Sequence, residues 1–183
     1  MPTVFTHALV PLALGAAIER RIVSGRLLAV GTLCGMLPDA DVLSFQFAVA
    51  RGSLLSHRGL THSLGFAVLI GALAAGFAPR LKARRAVAFG FAFLGTLSHP
   101  LLDMLTNGGS GVALWFPFSD ERVFFSWRPI LVAPISAARF FSERGWRVLQ
   151  SEMLWVWLPA LGLALLIGLR RRGRSPAQDA GAS

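Results

Sequence analysis

The sequence predicts an all-α integral membrane bundle with four to five membrane-embedded helices. Hydrophobic residues fill 54% of the 183 positions and charged residues only 15%, against roughly 25% charged in a soluble domain. Several apolar runs have helical length, and basic residues gather at their ends. A formal charge of +9 would suggest nucleic acid in a soluble chain. At the ends of apolar runs it is instead the pattern that retains loops in the cytoplasm, so no nucleic-acid partner is expected. The length suits one folding unit, and residues 1–174 read as a single membrane-embedded domain.

Each element follows from local pattern. The amino terminus lacks a basic region, and its apolar run ends in Glu19-Arg20-Arg21 rather than a small-residue cleavage site, so a removable signal peptide is not expected. Residues 7–18 form a short helix with Thr6 available as N-cap. Residues 26–37 form a second, ended by Pro38-Asp39-Ala40-Asp41. At roughly 12 residues and about 18 Å each, these two fall short of a ~30 Å hydrocarbon core and predict a tilted or partly inserted hairpin. Residues 63–79 carry no charge and run into Arg80-Leu81-Lys82-Ala83-Arg84-Arg85. A fourth segment, 86–105, is long enough to span, with His99, Pro100 and Asp103 interrupting its far third. Residues 106–128 read as a loop: Thr106-Asn107-Gly108-Gly109-Ser110-Gly111 is turn chemistry, and Trp115, Phe116 and Phe118 form an aromatic cluster suited to an interfacial belt. Residues 129–141 are apolar but short, and with Arg139, Glu143, Arg144 and Arg147 predict an interfacial amphipathic helix. A last span runs from Met153 to Leu169 and ends at Arg170-Arg171-Arg172-Gly173-Arg174. The small, polar tail 175–183 is expected to be disordered. Cys34, alone in an apolar run, reads as a small buried hydrophobe and excludes a disulfide framework.

The charges orient these helices. Eleven of the 18 basic residues lie in four clusters: Arg20, Arg21 and Arg26; Arg80 and Lys82; Arg84 and Arg85; and the Arg170–Arg174 run. With these in the cytoplasm, His7 opens the first helix and Asp39 and Asp41 close the second. His57 and His62 then open the third, and His99 and Asp103 end the fourth, so all seven groups share the outer, extracytoplasmic end. Arg51, Arg58, Arg122, Arg128, Arg139, Arg144 and Arg147 oppose this placement. An inverted topology would keep the groups together on the cytoplasmic face.

These residues suit a metal. His99 and Asp103, four apart, stack on one helix face, and an ionisable pair inside a spanning helix is costly enough to imply a function. Two carboxylates in the Asp39–Asp41 turn can address a common ion. Four imidazoles and three carboxylates favour Zn²⁺, Mn²⁺ or Fe²⁺ over Ca²⁺ or Mg²⁺, and the lack of a second cysteine excludes a thiolate structural site. One or two divalent ions are expected. Hydrolysis of a phosphoester is the reaction class these parts serve best, and Arg58, between two histidines, could grip a phosphate oxygen bidentately. A site at bilayer depth favours a phospholipid-like substrate already in the membrane. The alternatives are a membrane transporter, a metal-binding membrane component without hydrolytic activity, and a scaffold stabilised by its metal.

Thr6-His7, Gly35-Met36-Leu37-Pro38-Asp39-Ala40-Asp41, His57-Arg58-Gly59-Leu60-Thr61-His62-Ser63 and His99-Pro100-Leu101-Leu102-Asp103, followed by Leu105-Thr106-Asn107 and Pro117-Phe118, together resemble the YdjM-like family of membrane-bound metal-dependent hydrolases. The resemblance covers residues 1 to about 120. That family is distantly similar to zinc-dependent phospholipase C and the P1-type nucleases, which implies an all-helical fold, a multinuclear zinc centre built on an HxxxD pair, and an inner-membrane location. It would make His7, Asp39, His62, His99 and Asp103 the leading ligands, with Asp41 and His57 behind them.

Overall fold

Two antiparallel helical hairpins, packed side by side, position everything else. They are described in a computed structural model covering residues 1–172 apart from Ala48, Arg51 and Ile135. Gly173, Arg174 and the tail 175–183 lie outside the described residues. The first hairpin pairs α1 (Val4–Ala17) with α2 (Gly25–Met36); the second pairs α3 (Leu64–Gly76) with α4 (Arg85–Met104). Ser24 and Ser63 cap α2 and α3, their hydroxyls accepting from the N–H groups of Leu27 and Phe66, which satisfies donors that a helix start leaves open. The two hairpin turns meet, since the Ser24 hydroxyl and the Arg26 guanidinium donate to the carbonyls of Leu81 and Arg80. The basic turns therefore share one end of the bundle, and His7, Asp39, His62 and Asp103 share the other.

Glycines set how closely the helices cross. A Cβ on Gly35 would lie 2.7 Å from Pro11 and 2.9 Å from the His7 carbonyl oxygen, and one on Gly95 would lie 2.7 Å from the Gly31 carbonyl oxygen. Small residues at such crossings allow the backbone contact on which helix packing in lipid depends. Phe91 fills the space left by Gly15 and Gly31 and centres a core that includes Val23, Leu27, Cys34, Ala74, Ala88 and Ala92. Cys34 is buried there.

Three local expectations are corrected. The first helix starts at Val4 with Thr3 at its N-cap, so Thr6 is buried within the first turn instead of capping it. The second run does not stop at Pro38: a 3₁₀ stretch, Leu37–Phe47, continues it, because proline at the start of a new turn gives up an N–H that has no partner there anyway. The joined element Gly25–Phe47 spans 23 residues and is long and apolar enough to cross a membrane. α4, by contrast, runs through Pro100 to Met104 as expected, so His99 and Asp103 share one face.

The third correction concerns the carboxy-terminal half. The expected interfacial helix does not begin at Pro129: residues 129–134 are non-helical, since Pro129 and Pro134 favour extended backbone around themselves, and the buried Ile130 pairs with Leu105 and Asn107 through backbone hydrogen bonds. A single turn, α5 (Ala137–Phe140), precedes α6 (Glu143–Glu152), a π-helical turn at Met153–Trp157 and α7 (Leu158–Arg172). The stretch Glu143–Arg171, like Gly25–Phe47 and Arg85–Met104, is long and apolar enough to cross a membrane, while Val4–Ala17 and Leu64–Gly76 are shorter apolar helices. Among the described residues there is no β-strand, and α7 shows Leu163, Leu165 and Leu166 to its surroundings.

Candidate metal centre

Four separate pieces of chain bring ionisable groups to one place. α1 supplies His7 from its first turn, and the 3₁₀ stretch after α2 supplies Asp39 and Asp41. The loop before α3 supplies His57 and His62, and the last turns of α4 supply His99 and Asp103. His7, His62, His99 and Asp103 are fully buried. Two sets form in which one donor atom from each residue lies within 4.8 Å of the others: Asp39, Asp41, His57 and His62, and His7, His99 and Asp103. The sets touch, His99 Nε2 lying 3.3 Å from Asp39 Oδ1 and His62 Nε2 lying 3.4 Å from Asp103 Oδ2. All seven sequence-predicted ligand candidates are thus in this cluster.

They divide by what their atoms already contact. Asp41 is engaged on both oxygens: Oδ1 is 2.6 Å from His57 Nδ1, while Oδ2 accepts from the Thr61 hydroxyl and the Arg58 N–H and lies 3.1 Å from His62 Nδ1. Asp41 therefore turns two imidazoles by their Nδ1 atoms, the usual task of a carboxylate behind a ligating histidine. The Gly35 carbonyl does the same for His99 Nδ1 at 2.8 Å. By contrast His7 Nε2, His62 Nε2, His99 Nε2 and both oxygens of Asp39 and of Asp103 are buried without a hydrogen bond.

That pattern calls for a ligand, because buried polar atoms are almost always paired. The separations suit one: the edge of a tetrahedron with ~2.0–2.1 Å bonds is about 3.3–3.4 Å. The observed contacts between these atoms are 3.3, 3.4, 3.7 and 3.9 Å. The rings of His7 and His99 are stacked with centroids 3.5 Å apart, and His62 meets His99 edge-on. These residue groups could hold a metal ion. Burial disfavours the imidazolium of His62, but the Asp103 and Asp41 carboxylates outweigh it and raise its pKa to about 9.

Arg58 holds the cluster from the side. Its Nε is 2.9 Å from Asp103 Oδ2, at an angle too poor for a hydrogen bond to that oxygen. Its other two nitrogens donate to the Gly108 carbonyl and the Thr106 hydroxyl. Both terminal nitrogens are thus hydrogen-bonded, Nε faces Asp103, and the side chain is buried beside that carboxylate. Its backbone is left-handed, φ 66°, a conformation that costs of order 1–3 kcal/mol and persists only where the surroundings enforce it. Gly59 follows because a Cβ there would meet the carbonyls of Leu54 and Ser56.

A family model described as YdjM inner membrane protein matches residues 1–175. The chain belongs to this family. Inner membrane protein YbcI of Escherichia coli K12 is 45% identical over 173 residues, covering 94% of this chain and all of the relative. No solved structure matches. YdjM-family membership accords with the three helices long enough to cross a membrane.

Sequence reasoning overlooked two supports of this centre and one buried acid beyond it. Thr61 bridges Asp41 and His62. Arg122, read only as a misplaced basic residue, reaches back to the carbonyls of His57 and Ser53 and the hydroxyls of Ser56 and Ser110, clamping the histidine loop. Glu152 is buried against Thr3 and Thr6. A charged residue at the border of an apolar run was the available signal for Glu152; Thr61 and Arg122 carried none.

Proposed function

We propose that this chain is a multi-pass, membrane-bound metal-dependent hydrolase that cleaves a phosphoester, with a membrane lipid as the substrate class. The reading is carried by the buried, unpartnered donor atoms of His7, Asp39, His62, His99 and Asp103, which mix imidazole and carboxylate as zinc, manganese or iron sites do. These five residues would hold one or two divalent ions, zinc foremost. A cation so held acidifies a water and offsets negative charge on phosphoryl oxygens. The chain's own part is preorganisation: Asp41 and the Gly35 carbonyl fix imidazole orientation, and Arg58 holds Asp103 in place. His57, bonded to Asp41 and partly exposed, is placed to pass a proton between the centre and solvent.

Two clefts flank the strap formed where Met1 accepts a hydrogen bond from the Ala133 N–H. One, about 440 Å³, is lined by Ser56, His57, Arg58, Gly109 and Ser110; the other, about 400 Å³, is lined by Asp39 and by Val4, Phe5, Val42, Phe140 and Phe141. Phe45, Val132 and Ala133 also line the first, so both openings are largely apolar and suit a substrate that carries a hydrocarbon chain. The basic hairpin turns favour placing their end in the cytoplasm, which puts the centre at the extracytoplasmic side.

Purified protein would be analysed for bound metal and assayed on phospholipid and on a water-soluble phosphodiester, with His62→Ala and Asp103→Ala as controls. Expected are bound zinc and hydrolysis in the wild type, both lost in the variants. Retained metal and full activity in both variants would overturn the catalytic assignment. Metal retained without hydrolysis of any ester would leave a metal-binding membrane protein.

A further inference from the structure

Glu152 is the one fully buried acid outside the cluster among the described residues, and no part of the chemistry above uses it. It closes α6, in a long helix most of whose residues are exposed. Its Oε1 accepts from the Thr3 N–H at 2.6 Å, and its Oε2 accepts from the hydroxyls of Thr3 and Thr6, each at 2.6 Å. The Thr6 hydroxyl in turn accepts from Trp157 Nε1 at 2.6 Å. The π-helical turn between Glu152 and Trp157 brings both side chains to the same turn of α1, and such turns recur at functional sites.

α1 needs this partner. Its N-cap residue Thr3 makes no side-chain cap and its first turn has no acid, so the open N–H groups and the positive end of the helix dipole lack a local anion. Glu152 supplies the acceptor oxygens from a distant helix. The residue after Thr6 is His7, whose two ring nitrogens have no hydrogen-bond partner; only its stacking on His99 and the placement of its backbone orient the ring. Asp41 and the Gly35 carbonyl do for the other histidines through the ring what nothing does for His7.

We infer that Glu152 is a positioning residue for His7: it sets the height and rotation of the first turn of α1, and so delivers the His7 imidazole to Asp103 and His99. The inference rests on the metal-site reading only in its metal readout, and is tested in two ways. In metal-free protein, diethyl pyrocarbonate labels accessible neutral imidazoles, and mass spectrometry locates the label. His7 of the wild type is buried and stays unlabelled, whereas in Glu152→Ala its labelling rises about ten-fold while that of His62 does not. In zinc titrations Glu152→Ala binds roughly 10- to 100-fold more weakly, as loss of a residue behind a ligand typically does.

Glu152→Gln, whose amide can accept from the Thr3 N–H and donate to hydroxyls, restores most of both readouts. Thr6→Val, which keeps shape and removes one hydroxyl, gives a smaller effect of the same sign and stands in if Glu152→Ala does not fold. Protection of His7 and unchanged zinc affinity in a folded Glu152→Ala or Thr6→Val protein would overturn the inference. Absence of zinc binding in the wild type would overturn the metal reading instead, and the labelling result would then decide the role of Glu152 alone.

Discussion

Two carboxylates two positions apart have different jobs. Asp39 presents unpartnered oxygens to His62 and His99, whereas Asp41 is saturated by His57, His62, Thr61 and the Arg58 N–H. Asp39→Asn is therefore expected to abolish tight zinc binding, and Asp41→Asn to weaken it roughly 10- to 100-fold, as isothermal titration would show. His62 gives a pH prediction. Its pKa in the metal-free fold is raised to about 9, against about 6.5 in an unfolded chain. A raised pKa means the folded state binds the proton more tightly, so this stabilisation is complete below pH 6.5 and is lost as pH rises towards 9. Thermal unfolding of stripped protein should show a falling midpoint across that window. Zinc takes the unprotonated ring, so zinc affinity should rise over the same range; a midpoint independent of pH would remove His62 from the ion-paired position described here.

Helix crossings, not helix sequences, fix the depth at which ligands meet. Gly35 touches Pro11, the His7 carbonyl and the Gly95 carbonyl, while the nearby Gly90 has open space where a Cβ would stand. Gly35→Ala should destabilise by about 1–3 kcal/mol through overpacking and shift α2 from α1, weakening zinc binding as well. Gly90→Ala in the same helix bundle should be neutral or stabilising by up to about 1 kcal/mol, since alanine is the better helix former. Unfolding in denaturant with and without zinc separates the two; equal effects would mean that the α1–α2–α4 crossing is looser than these contacts imply. The elements legible from sequence were those with a local cause: apolar runs bounded by charge gave α1 to α4 and α7 to within a few residues. The 3₁₀ continuation past Pro38 and the non-helical run at 129–134 were not legible, because proline permits either a stop or a start and only the neighbouring chain decides between them.

For the whole molecule, the basic hairpin turns and the candidate ligands occupy opposite ends of the bundle. With the basic turns in the cytoplasm, a membrane-impermeant maleimide applied to intact cells should label cysteine at Asp120 and not at Lys82, two exposed positions at opposite ends, in a Cys34→Ala background. The reverse pattern would invert the topology and put the centre on the cytoplasmic face.

By itself the sequence determined the helical class, the end of the bundle at which histidines and aspartates gather, and the identity of the seven ionisable groups there. These follow from hydropathy and charge, which act along the chain and leave their mark in its order. Only the tertiary structure decided which of the seven keep open donor atoms, that Arg58 is bound into the wall beside Asp103, and that Glu152 reaches across 146 residues to Thr6. Those outcomes depend on hydrogen-bond geometry between segments far apart in the chain, and no local pattern of residues records it.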